Sequence, residues 1–173
     1  MQVAELTLVL MAGLPGAGKT TLALELARKL QWYVIDKDEQ KEVLLKHGLD
    51  NEQAGILAYE LSFQTIRNVL TKQRASVIFD TASLQTFILE NAKEIVRGVE
   101  NTRLKVILCV ADRDLRNRRL RDRPAQITTI RVDPATIIDY LEQFKHLPSD
   151  RLEVYTNISL EECLAVARDY LIH

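Results

Sequence analysis

Short apolar runs alternate along the chain with longer segments in which apolar residues recur at helical spacing. The apolar runs are residues 6–12 (LTLVLMA), 32–35 (WYVI), 76–79 (SVIF), 105–110 (KVILCV) and 152–155 (LEVY). Helical periodicity predicts helices over about 19–30, 38–47, 51–72, 84–98, 113–122, 134–145 and 159–172. Strands that alternate with helices in this way predict an α/β fold, a parallel sheet covered on both faces. In such sheets ligands gather beyond the carboxyl ends of the strands, so what ends each strand directs the search for chemistry.

The first strand runs into Gly13-Leu14-Pro15-Gly16-Ala17-Gly18-Lys19-Thr20, a complete G-x-x-x-x-G-K-[ST] loop, and a helix follows from its lysine. Its glycines free the backbone to curl, so that successive N–H groups converge on one concavity at a helix N-terminus, a site for a triphosphate. Lys19 would reach the β- and γ-phosphates, and the Thr20 hydroxyl would take a place on Mg²⁺, with Thr21 completing the nucleotide-binding stretch. The motif leaves ATP and GTP both open.

The other strands end on Asp36-Lys37-Asp38, Asp80-Thr81 and Ala111-Asp112-Arg113. Phosphoryl transfer needs a phosphate cradle, a metal, a group that orients the acceptor and positive charge on the transferring group. Asp80 is the candidate partner of Thr20 on Mg²⁺, through water, with capping of a helix near Ser83 as its alternative. Asp36 and Asp38 lie two residues apart as the chain leaves the sheet, so their side chains can serve different roles. One of them would accept the acceptor's hydroxyl proton, although Asp38 also stands where a helix cap is expected. Lys41, one turn on, would hold the acceptor or Asp38, or lie in solvent.

Positive charge is concentrated between Arg113 and Arg123, six arginines in eleven residues. On a helix Arg116, Arg119 and Arg123 share one face, which could close over a triphosphate; a solvated face or a nucleic-acid patch are the alternatives.

Composition narrows these choices. The 173 residues carry a net charge of −1, with a sequence pI near 6.3, which disfavours a general nucleic-acid binder. Length and the absence of any linker-like or repeated stretch predict one domain over residues 1–173. Cys109 and Cys163 read as small buried hydrophobes in a reducing compartment. His47, His146 and His173 share no metal-ligand spacing and read as surface residues, and Trp32 and Tyr33 are expected to pack. No stretch approaches about 18 apolar residues and no signal sequence is credible, so a cytoplasmic protein without a membrane partner is expected.

The arrangement resembles the small P-loop kinases related to adenylate and shikimate kinases, which are ATP-binding P-loop domains of AAA type. Within them it is most similar to chloramphenicol phosphotransferase, zeta toxins and the kinase domain of polynucleotide 5′-kinases. Three stretches carry the resemblance: the phosphate loop with Thr21 and Leu22, the strand end Val34-Ile35-Asp36-Lys37-Asp38, and Arg119-Leu120-Arg121-Asp122-Arg123, which is like the R-L-x-x-R lid of that family. The resemblance implies a three-layer P-loop fold with a five-stranded parallel sheet of order 2-3-1-4-5 and an arginine-rich helical lid over about 112–130. It also implies that Asp38 is the base and Asp36 its support near the metal, and that Arg119 and Arg123 hold phosphates. Arg116 and the loop after Tyr155 are the candidate contacts of the adenine. The chain lacks a second acidic residue after Asp80, which argues against a mechanical ATPase.

The leading expectation is therefore an ATP- and Mg²⁺-dependent kinase that phosphorylates a hydroxyl of a small molecule, acting as a monomer or homodimer. Lys19, Asp38, Arg119 and Arg123 would carry transfer. A polynucleotide 5′-hydroxyl kinase and a nucleotide-binding regulatory module with negligible turnover are the rival readings.

Overall fold

The computed structural model describes residues 5–81, 85–122 and 134–173. Five strands, β1 (Leu6–Ala12), β2 (Tyr33–Asp36), β3 (Val77–Asp80), β4 (Thr102–Val110) and β5 (Leu152–Tyr155), form one sheet in the order β2-β3-β1-β4-β5. All four pairings are parallel. The helices are α1 (Lys19–Leu30), α2 (Lys37–Lys46), α3 (Asn51–Asn68), α4 (Thr86–Arg97), α5 (Arg113–Arg121), α6 (Pro134–Phe144) and α7 (Leu160–Ile172).

Side chains alternate across β1, and the alternation builds two cores. Leu6, Leu8, Leu10 and Ala12 point to one face, where they meet Ile66 of α3 and Ile88, Ala92 and Ile95 of α4. Val9 and Met11 point to the other, against Leu22 and Leu26 of α1 and Leu164 and Ala167 of α7. The central strand is buried along its whole length, which accounts for its unbroken apolar sequence.

The structure differs from the sequence reading in three places. Strand β2 starts at Tyr33 rather than Trp32, and Tyr33 is 47% exposed instead of packed; β2 is an edge strand, so α2, α3 and the sheet cover only part of it. Strand β4 starts at Thr102, because its polar first half is held in register by β1 from Leu6 onward. The helix expected over 51–72 runs as α3 to Asn68 and then as a π-helical turn, Val69–Gln73, that ends on Arg74 with a positive φ of 51°.

Candidate active site

The loop between β1 and α1 turns on two glycines that no other residue replaces. Gly13 has φ 144°, and a Cβ there would sit 2.5 Å from the carbonyl oxygen of Cys109 on β4. Gly16 has φ 80°, and a Cβ would sit 2.7 Å from the carbonyl oxygen of Arg116 on α5. Both contacts are with backbone, which cannot swing aside. Gly13→Ala is thus expected to destabilise the fold by about 3 kcal/mol or more, read as a lower urea midpoint; an unchanged midpoint would show that the loop does not rest on β4.

Lys19 is 9% exposed, and its ammonium donates to the carbonyls of Gly13 at 2.8 Å and Leu14 at 3.4 Å. Thr20 and Thr21 follow on the first turn of α1. Two further groups hold the loop from behind. Arg119 of α5 donates through Nη1 to the Gly16 carbonyl at 3.3 Å and to Thr156 Oγ1 at 2.9 Å, and through Nη2 to the Thr156 carbonyl at 2.8 Å. Thr156, just past β5, donates its hydroxyl to the Ala17 carbonyl at 2.8 Å. A cavity of about 360 Å³ opens beside this junction, walled by Gly16, Gly18, Thr21, Arg119, Thr156 and Cys163.

Arg116 is buried on the same helix with its Nε lacking a hydrogen-bond partner; burial, then the neighbouring Arg113, lowers its pKa. The structure therefore brings Arg116 and Arg119 together against the phosphate loop. Arg123 lies outside the described residues.

The carboxylates meet at the same end of the sheet. Asp36 and Asp80 are register partners at the tips of β2 and β3, and Asp80 is also the partner of Met11 on β1. Asp80 is 3% exposed. Asp36, not Asp38, is the cap of α2: its Oδ1 accepts from the N–H groups of Asp38 at 2.7 Å and Glu39 at 3.3 Å. Burial, then repulsion by Asp80, raises the Asp36 pKa to about 6. Asp80 caps no described helix start, since α4 begins at Thr86 behind Gln85; the position near Ser83 lies outside the described residues.

The Asp36 shift has a sign that can be measured. Between the unfolded value near 3.8 and the folded value near 6, the folded state holds the extra proton, so this group's contribution to stability falls as pH rises through that window. Asp36→Asn keeps a good capping residue and removes the penalty. In metal-free buffer its stability relative to wild type should rise from pH 4 to pH 7; urea titrations that find a constant difference would remove the charge repulsion at this site.

Asp38 sits one residue into α2 and forms a 2.7 Å ion pair with Lys37. Lys37, 7% exposed, lies with its ammonium 5.0 Å from the centroid of the Tyr59 ring, and the Tyr59 hydroxyl is 3.2 Å from Thr81 Oγ1. Lys41 is half-buried on the next turn, close to Gly55 of α3; burial, then Lys37, lowers its pKa. Asp112, the acidic residue after β4, is structural: it caps α5 through Leu115 N–H at 2.8 Å and accepts from Asn157 at 2.6 Å.

Lys37, Tyr59 and Thr81 were not among the sequence candidates, whereas Thr156 opens the loop after Tyr155 that the sequence offered as an adenine contact. Lys37 had a signal, standing between two aspartates at a strand end. Among the described residues no group of three or more His, Cys, Asp and Glu side chains forms a metal cluster. The cysteines are free and buried as expected, and burial pushes the Cys109 thiol up to about 12, which favours the neutral thiol.

The parallel sheet and the loop at the end of its central strand define a P-loop nucleotide-binding domain. The family model described as AAA domain matches residues 8–147, and the chain belongs to that family. Among curated proteins no sequence match is found. Solved structures share the fold. A provisionally assigned kinase from Chloroflexus aurantiacus J-10-fl is 23% identical with a TM-score of 0.72, covering 96% of this chain and 99% of its own. A sugar kinase from Janibacter sp. HTCC2649 is 14% identical with a TM-score of 0.64, covering 97% and 95%. A gluconokinase from Sinorhizobium meliloti 1021 is 16% identical with a TM-score of 0.59, covering 95% and 90%. No helix among the described residues is long and apolar enough to cross a membrane.

Proposed function

We propose that the chain is a kinase that moves the γ-phosphoryl group of ATP to a hydroxyl of a small molecule. One observation carries the reading: the Lys19 loop and the carboxylates of Asp36, Asp38 and Asp80 converge at the carboxyl ends of β1, β2 and β3. The three similar structures named as kinases support it.

In this reading Lys19 leaves the carbonyls of Gly13 and Leu14 for the β- and γ-phosphates, and the loop N–H groups hold the rest of the triphosphate. Thr20, Asp36 and Asp80 would hold Mg²⁺, which supplies positive charge against the phosphate oxygens and so relieves the repulsion between the two aspartates. Arg119 stands behind the loop as a phosphate or base contact. Arg116, with its buried unpartnered Nε, gains acceptors when nucleotide binds. Asp38 receives the acceptor's proton as its oxygen attacks phosphorus, and Lys37 keeps that carboxylate oriented. Arg123 is proposed as a second phosphate contact on sequence grounds alone. The whole of residues 1–173 acts as one domain, with a lid over about 112–130, in the cytoplasm, as a monomer or homodimer.

The test is ADP release from Mg·ATP, without acceptor and with hydroxylated antibiotics, sugars, nucleosides, UDP-sugars and 5′-hydroxyl oligonucleotides. Stimulation by a small-molecule class supports the proposal. Stimulation by the oligonucleotide alone makes the acceptor a polynucleotide, and nucleotide binding with no stimulation by any class favours the regulatory reading.

A further inference from the structure

We infer that the acceptor is an amphipathic, amine-bearing alcohol whose apolar body seats in a cavity between α3 and α4; the assignment rests on the kinase reading above. The cavity measures about 480 Å³, within the range of small-ligand sites. Its apolar walls are Ile56, Tyr59 and Phe63 of α3 and Phe87 of α4. The Phe87 ring meets Tyr59 edge-on at 5.1 Å, and Tyr59 lies offset over Phe63 at 6.2 Å. Ile56 and Phe87 stay 56% and 41% exposed, so these apolar surfaces are available for a ligand to cover.

Tyr59 joins this cavity to the reacting end of the site. One part of its ring faces the cavity, while the ammonium of Lys37, the partner of Asp38, lies over the same ring. Its hydroxyl reaches Thr81, next to Asp80. An acceptor with its body against Tyr59 and Phe87 is therefore joined through Tyr59 and Lys37 to the carboxylate proposed to take its proton.

Charge sets the rest of the ligand's chemistry. Glu52 and Glu60 both line the cavity, and among its described lining residues there is no lysine or arginine. The two carboxylates outnumber Lys41, which approaches Gly55 from α2. A cationic amine is matched by this rim, whereas a carboxylate such as that of gluconate is repelled. Four of the walls offer carbon, beside the polar side chains of Asn51, Gln85 and Asn91, of which Asn91 already donates its amide to the Phe87 carbonyl at 2.8 Å.

The probes are 2-amino-1-phenylethanol, which carries ring, amine and hydroxyl, 2-phenylethanol, which lacks the amine, and gluconate. Each is titrated by NMR chemical shift into the full chain bearing a non-hydrolysable Mg·ATP analogue, and each is assayed for ADP formation with Mg·ATP. We expect 2-amino-1-phenylethanol to bind best. Phe87→Ala should weaken both aromatic probes about tenfold. Glu52→Gln with Glu60→Gln should weaken only the amine, by about fivefold. Glu52 and Glu60 are exposed on α3, so their variants should unfold at the wild-type midpoint, and Phe87→Ala, which loses the edge contact with Tyr59, should unfold slightly below it. Tighter binding of gluconate, binding of the aromatic probes that Phe87→Ala leaves unchanged, or no binding of either aromatic probe overturns the assignment. ADP formation with gluconate and none with the amine strikes the cavity assignment and leaves the kinase standing; binding of the amine with ADP formation from none of the probes upholds the cavity's ligand class and strikes the kinase reading.

Discussion

Replacing Lys19 by alanine is expected to lower kcat for ADP formation by roughly 10²- to 10³-fold while the protein unfolds at nearly its wild-type midpoint. The ammonium is a fixed positive charge inside the loop, held against the carbonyls of Gly13 and Leu14. A triphosphate brings oxygens to the same place and offers that charge a stronger partner. As the phosphoryl group transfers, charge builds on those oxygens, and a charge already in position costs no reorganisation. Alanine removes it and leaves two loop carbonyls that water can satisfy, so the fold loses little. Nucleotide affinity should fall as well, by less than kcat. Steady-state kinetics beside nucleotide titration separates the two, and a variant that keeps wild-type kcat would remove Lys19 from the reaction.

The second large effect is expected for Asp38→Asn, a roughly 10²- to 10⁴-fold loss of transfer with nucleotide affinity kept within a few-fold. Asparagine has the same shape and leaves the cap of α2 untouched, because that cap is Asp36. It removes the proton acceptor and the ion pair to Lys37 at 2.7 Å. Comparison with Asp36→Asn assigns the roles. If Asp36→Asn costs more transfer while nucleotide binding stays intact, Asp36 is the base and Asp38 serves to place Lys37.

The alternation of strands with helices and the phosphate loop were legible in the sequence because both depend on local pattern: apolar runs, helical periods and a contiguous motif; the order of the strands followed only from the family resemblance. Asp80 and Asp36 could be nominated for the same reason, since each ends a strand. The order implied by the resemblance sets β2 beside β3, but the register that makes Asp36 and Asp80 direct partners could not be read, because it is a tertiary pairing. Asp38 read as a cap because it begins a helical period, yet the N–H groups at the start of α2 turn back to the residue two positions earlier. Tyr33 was expected to pack because the run WYVI is apolar, but a strand at the sheet's edge has less to pack against. The cavity between α3 and α4 was invisible for a deeper reason. Tyr59, Phe63 and Phe87 look like core residues on their own helices, and only the packing of α3 beside α4 leaves part of them uncovered.

Thr156 lies beyond residue 147, where the family match ends, yet it grips the phosphate loop at Ala17, accepts from Arg119 and donates its own backbone N–H to the Val110 carbonyl. A fragment cut to the boundaries of the shared family region would keep every residue of the Walker-type motif and lose the brace that shapes it, along with β5 and α7. Domain boundaries drawn from family likeness are thus a poor guide to where this chain can be shortened: residues 148–173 lie outside the shared region and still hold the phosphate loop in shape.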